Sequence, residues 1–258
     1  GVADTKGIGG LDELGIPAVM TADGPAGLRI VPERGVKTTA WPVATLLACT
    51  WDPDIVYAVG EAGSKEVREN NIGVWLTPAI NIHRSPLCGR NFEYYSEDPL
   101  VAGKLAAAMV QGIQSQHISA CVKHFCCNNK ETNRYASDSR VSERALREIY
   151  LKAFRIVVKE ADVWAVMTAY NLLNGIYTSE NTDLLSGILR EEWGFDGLVV
   201  TDWVNWAEHY REVLAVNNVR MPHGSPRRLK KALECGLITR EHLITNARYV
   251  LMWMLKLD

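Results

Sequence analysis

Five times along this chain of 258 residues a short apolar run stops at polar or charged residues, and amphipathic stretches separate the runs. The runs cover 17–22, 74–80, 118–122, 163–169 and 198–201. They end in Asp23-Gly24-Pro25, Asn81 to Arg84, Lys123-His124, Tyr170-Asn171 and Asp202-Trp203. Short all-apolar runs bounded in this way read as strands buried on both faces of a parallel sheet. Runs at 43–50 and 218–221 add two candidate strands. Apolar spacing near 3.6 predicts helices over 53–70, 98–115, 142–160, 181–193, 204–216, 225–235 and 239–256. Ser142 and Thr239 supply start signals, and Pro99 fits a first turn, where its missing N–H costs nothing.

Strand and helix alternate about seven times, the pattern of an α/β fold with a parallel sheet. Polar groups gathered at the carboxyl ends of several strands favour a TIM-like (β/α)8 barrel with one shared mouth. About seven clear strands leave an incomplete barrel open. No GxGxxG or GxxxxGK[ST] supports a dinucleotide or P-loop reading. The length suits one barrel, and no Pro/Gly/Ser-rich linker divides it, so residues 1–258 read as one domain. A formal net charge of −2 gives no reason to expect nucleic acid or an anionic membrane as partner. No apolar run approaches the roughly 20 residues that span a bilayer, and residues 1–6 do not resemble a signal peptide. Six cysteines without a CxxC pair read as reduced thiols acting as small buried hydrophobes, in a cytoplasmic setting. Adjacent Cys126-Cys127 is poor zinc-ligand spacing, and no metal is expected.

Each polar terminus has two readings. Asp202 is a strand-end carboxylate placed for chemistry or the N-cap of the next helix. Asp23 lies in a Gly-Pro turn, or accepts hydrogen bonds from a polyol. The stretch 84–99 carries Arg84, Arg90, Asn91, Glu93, Glu97 and three aromatics. A loop of that length lines a site or pairs its charges at the surface. Lys123-His124 is the sharpest cluster. Neighbours on a regular strand point to opposite faces, so both reach one mouth only if the backbone departs from strand geometry. Alternatively the lysine snorkels and the histidine is satisfied in the core. A buried strand-end lysine is also a candidate Schiff-base nucleophile.

Together these segments resemble glycoside hydrolase family 3, the β-glucosidase and β-xylosidase type, over nearly the whole chain. The motifs are ADGPAGLR at 22–29, GRNFEYYSEDP at 89–99, KHFCCNNKETNR at 123–134, VMTAYN at 166–171 and VVTDW at 199–203. The resemblance implies Asp202 as catalytic nucleophile, forming a covalent glycosyl-enzyme. It implies sugar-hydroxyl contacts for Asp23, Arg90, Lys123, His124 and Arg134, with Tyr170 beside the nucleophile and Trp203 lining the mouth. An irregular peptide between Lys123 and His124 is implied as well. Lys123, Arg90 and Arg134 would then hold Asp202 ionised. No cofactor or metal is implied; the partner is a small carbohydrate, a β-glucoside or β-xyloside.

The acid/base is not assigned by these motifs. The N-acetylhexosaminidase branch carries it after KHFPGHG, whereas this chain reads KHFCCNN. The β-glucosidase branch carries it as a glutamate on a second α/β domain, which is not in this sequence and would act in cis or trans. Glu93, Glu97 and Glu131 are local candidates to which the resemblance gives structural roles. The expectation is therefore a retaining exo-β-glycosidase barrel acting on terminal glucose-like or xylose-like residues and weak when alone. The alternatives are a catalytically silent sugar-binding or scaffold barrel, and a lysine-dependent aldolase-type barrel resting on Lys123.

Overall fold

The structure, a computed structural model, describes residues 7–257; the leader reading of residues 1–6 lies outside it. Among the described residues the strands are β1 (Thr21–Ala22), β2 (Val74–Trp75), β3 (Ser119–Phe125), β4 (Asp138–Ser139), β5 (Ala165–Thr168), β6 (Leu172–Leu173), β7 (Ile176–Tyr177) and β8 (Leu198–Val200). Five form one parallel sheet in the order β1-β2-β3-β5-β8. The candidate strand at 218–221 contributes a single parallel bridge, Val219 to Val200, and so marks a sixth position.

Side chains alternate across this sheet as strand geometry requires. On β5 and β8, Val166 and Val199 join the outer core, whereas Ala165, Met167, Leu198 and Val200 join the inner one. The outer core is covered by α2 (Pro53–Glu69), α3 (Pro99–Gln114) and α5 (Lys152–Ala161), which contribute Val56, Val67, Val110, Ile113, Phe154 and Val157. Gly60 and Gly112 let α2 and α3 approach closely, since a Cβ on Gly112 would stand 2.2 Å from the Tyr57 carbonyl. The sheet curls around the inner core, a half-barrel filled by Ile8, Met221 and Trp253. Trp253 lies on α8 (Arg240–Met254), and its indole N–H donates to Ser119 Oγ at 3.0 Å.

The start signals act as expected. Asp98 Oδ1 accepts from Leu100 N and Val101 N with Pro99 in the first turn, and Thr239 forms a capping box with His242. Ser142 Oγ accepts from Ala145 N at the head of α4 (Glu143–Ala145).

Four expectations are corrected. The run at 43–50 is helical, α1 (Ala44–Ala48), because Ala44, Leu47 and Ala48 fall on one buried helix face. The stretch 142–160 breaks into α4, a π-helical turn Leu146–Tyr150 and α5, and Asp183–Glu192 is π-helical too. The helix expected over 204–216 shrinks to α6 (His209–Leu214). The Arg220 guanidinium takes the Asn205 and Ala207 carbonyls, leaving residues before α6 irregular. Finally, Cys121, Cys126 and Cys127 are buried but Cys49 and Cys235 are exposed, so the apolar role suits only part of the set. All six thiols are free. A second small sheet, β4-β6-β7, rises beside the main one. Helix α7 (Pro226–Glu234) is the remaining α-helix among the described residues, and no described helix is long and apolar enough to cross a membrane.

Arg190 ties the seam at the end of the sheet. Its guanidinium donates to the carbonyls of Phe195, Gly197 and Val216 and to Asn218 Oδ1, and lies 3.8 Å from the Tyr249 ring centroid. Burial pulls its pKa down to about 10. Arg190→Leu keeps the apolar stem but strips three carbonyls of their donor. It is expected to cost about 3 kcal/mol, read as a lower urea midpoint with an unchanged slope.

Candidate active site

All eight candidate residues meet in one cavity of about 640 Å³ at the carboxyl ends of the parallel strands. Asp23 follows β1, Arg90 lies in the loop beyond β2, and Lys123 and His124 are on β3. Arg134 follows β3, Tyr170 follows β5, and Asp202 and Trp203 follow β8. Phe92, Glu93, Tyr135 and Met167 complete much of the wall. Of these, Glu93 and Phe92 belong to the charged, aromatic stretch 84–99 noted in the sequence, whereas nothing local marked Tyr135 or Met167.

The loop beyond β2 is pinned from beneath by the helix that was expected to be a strand. Thr45 Oγ1, on α1, donates to the carbonyls of Asn91 and Tyr94 at 2.8 and 2.9 Å. His83 Nε2 meets the same two oxygens. Arg90 is thereby held over the cavity, where its Nε donates to Glu93 and its Nη2 to His124 Nε2. The loop lines the cavity, and its Arg90–Glu93 pair sits in the cavity wall rather than at the surface.

The backbone does depart from regular strand geometry at Lys123-His124. Their peptide is cis, the register with β5 shifts between Val122 and Phe125, and both side chains line the cavity. Lys123 is 3% exposed and its Nζ donates to Asp23 Oδ1 at 2.6 Å, so it neither snorkels nor stands as an unpaired amine. That pairing removes the setting a Schiff-base lysine needs. Burial alone would raise the Asp23 carboxyl, but the Lys123 ammonium outweighs it and holds the group well below the usual carboxylate range.

Asp202 is 8% exposed and is not a helix N-cap, since α6 starts seven residues later. Its Oδ1 accepts from Trp203 N at 2.6 Å, while Oδ2 has no hydrogen-bond partner. Burial raises its pKa, opposed by the Trp203 N–H, by the Lys123 and Arg90 charges and by the Tyr170 phenol. The Lys123 and Arg90 charges favour the ionised form, as expected, but burial outweighs them in the net direction, and both cations are also paired elsewhere, Lys123 to Asp23 and Arg90 to Glu93. Tyr170 adjoins Asp202, and both burial and that carboxylate push the phenol above its ordinary value. Arg134 stacks over Tyr170 and Tyr135 at 4.7 and 5.3 Å and pairs with Glu131 at 3.0 Å.

A carboxylate with one oxygen free of hydrogen bonds, ringed by charged and polar side chains at strand ends, is placed for nucleophilic attack on an electrophile bound in the cavity. Comparison with known proteins decides the family, because residues 10–250 match the glycosyl hydrolase family 3 N terminal domain. The chain belongs to glycosyl hydrolase family 3. It is 60% identical over 243 residues to β-glucosidase A of Butyrivibrio fibrisolvens, covering 94% of this chain and 29% of that protein. It is 42% identical to an exo-α-(1→6)-L-arabinopyranosidase of Bifidobacterium longum, covering 91% of this chain and 32% of that one. The structure of β-glucosidase 3B from Thermotoga neapolitana in complex with glucose superposes with a TM-score of 0.93 at 46% identity. That superposition covers 96% of this chain and 37% of the other. The chain thus spans about a third of the length of these relatives.

The Asp23–Lys123 pair sets an acid limit. The folded pKa of Asp23 lies below its unfolded value, so the pair's contribution is complete above about pH 4 and is lost as pH falls toward the folded value. Asp23→Asn is expected to lower stability at neutral pH and to flatten the decline below about pH 4. Thermal unfolding at stepped pH checks this.

Proposed function

We propose that this chain is the nucleophile-bearing barrel of a retaining exo-β-glycosidase, acting on terminal glucose-like or xylose-like residues. The observation that carries the reading is Asp202 Oδ2, uncapped at the floor of a cavity lined by Asp23, Arg90, Lys123, His124 and Arg134. Attack by this oxygen on the anomeric carbon forms the glycosyl-Asp ester and expels the aglycone. Water then cleaves the ester with net retention. The buried polar groups hold the ring hydroxyls, and contacts that tighten as the ring gains oxocarbenium character favour the transition state. The relatives named β-glucosidase support the sugar class.

Expulsion of an unactivated alcohol needs a proton donor. Three carboxyl groups line the cavity, Asp23, Glu93 and Asp202. Asp23 is ion-paired and strongly acidic, Glu93 is bound to Arg90, and Asp202 is the attacking group. Glu131 is engaged with Arg134. These commitments support an acid/base supplied by a second domain in cis or trans, and weak turnover by the barrel alone. The free thiols support a reducing, cytoplasmic setting.

The test is intact mass after incubation with 2-deoxy-2-fluoro glycosyl fluorides of the gluco, xylo and arabinopyranosyl series. These reagents carry an activated leaving group and bypass the acid. A one-sugar gain mapped to the peptide holding Asp202, and abolished in Asp202→Asn, is the expected result. A folded chain that binds sugar but takes no label from any of the three would replace this reading with a silent sugar-binding barrel.

A further inference from the structure

His124 is wedged between groups that leave its ring one protonation pattern. On one side the carboxamide of Asn81, 2% exposed, is paired with the backbone of His124 itself. His124 N donates to Asn81 Oδ1 at 2.9 Å, and Asn81 Nδ2 donates to His124 O at 2.9 Å. Those two bonds fix which end of the amide is oxygen. The same Oδ1 lies 3.2 Å from His124 Nδ1, so the proton on this contact belongs to the ring. On the other side Arg90 Nη2 lies 2.9 Å from His124 Nε2, and a guanidinium only donates, so Nε2 carries a lone pair. Turning the ring over would put carbons against both partners.

We infer that Asn81 is a positioning residue that locks His124 as the neutral Nδ1–H tautomer, so that Nε2 accepts from Arg90 and gives no proton to the nucleophile. The consequence lies 3.6 Å away, where His124 Nε2 faces Asp202 Oδ2. A ring protonated at Nε2 would donate to that carboxylate oxygen, and a charge-assisted bond there would hold back the lone pair that attacks. In the locked form Oδ2 stays uncapped, as observed. The groups facing the ring from neighbouring elements agree. Burial, then Arg90, Lys123 and Arg134, hold the imidazole well below its ordinary pKa, and Asp202 and Asn81 complete its surroundings. Asn81 touches no reacting atom itself; it acts through the ring.

This inference rests on the reading of Asp202 as nucleophile for its purpose, but its test uses no sugar. The measurement is histidine side-chain 15N NMR on the chain, with the His124 signals identified by their loss in His124→Gln. The expected wild-type pattern is a protonated Nδ1 and bare Nε2, unchanged across the range where exposed histidines titrate. An Nε2–H tautomer, or titration with the exposed histidines, overturns the inference. Asn81→Asp faces Nδ1 with a carboxylate and is expected to raise the His124 pKa by about one unit or more. Asn81→Ala, checked for folding by circular dichroism, is expected to lose the pure Nδ1–H pattern; a folded variant that keeps it shows that Arg90 suffices and overturns the role of Asn81. The right tautomer without labelling of Asp202 would sink the glycosidase reading alone. Labelling with the wrong tautomer would sink only this inference.

Discussion

A lysine ammonium buried to 3% exposure at the end of a central strand is the constraint around which the mouth of this half-barrel is arranged. Its desolvation is tolerable only with a carboxylate held against it, and Asp23, one hundred residues earlier, fills that place. The pairing draws the loop after β1 toward β3 across the intervening β2, so the cavity floor and one wall are fixed together. It also decides the electrostatics of Asp202. Lys123 is committed to Asp23 and Arg90 to Glu93, so the two cations that favour its ionised form act on the second buried carboxylate without an ion pair to it. Desolvation dominates there, and one oxygen is left without a hydrogen bond.

The sheet beneath solves a different problem. Parallel strands must be covered on both faces, and the two faces here are covered by unlike means. Helices α2, α3 and α5 cover the outer face in the ordinary βα manner, at close approach where Gly60 and Gly112 allow it. The inner face is filled by residues from distant parts of the chain, Ile8, Met221 and Trp253. Arg190 joins the two regimes at the edge, tying Gly197 just before β8, the 216–218 turn and Tyr249 of α8 to one guanidinium.

Much of this was legible because its signals are local. Apolar runs mark β1, β2, β3, β5 and β8, and polar residues that end four of them, Asp23, Lys123, His124, Tyr170 and Asp202, line the cavity, whereas Asn81 to Arg84 after β2 do not. Caps at Asp98, Ser142 and Thr239 need only a few neighbouring residues. The failures come where distant groups decide. Apolar content alone does not separate a strand from the helix at Ala44–Ala48, whose buried face is set by the core it meets. Residues 204–208 carry a helical pattern, but Arg220 claims the carbonyls of Asn205 and Ala207. Asn81 showed as a polar strand end, yet nothing in the sequence tells that it clamps a histidine 43 positions away. The β6-β7 hairpin was readable in principle. Asn174-Gly175 between two apolar pairs, both with positive φ, is a two-residue turn signal.

Trp253 carries a consequence of a temporal kind. Its indole is bonded to Ser119 at the start of β3, 134 residues earlier, and is almost wholly buried in the concave face. Of the elements described here α8 leaves the ribosome last, so every inner strand is synthesised before the side chain that plugs it. Until then Leu76, Met167, Leu198 and Val200 are an open apolar trough in a nascent chain. Contacts of such sequence separation are slow to form, and transiently bare apolar surface is where growing chains misassociate. Until α8 packs, that trough is the face of the half-barrel most open to misassociation.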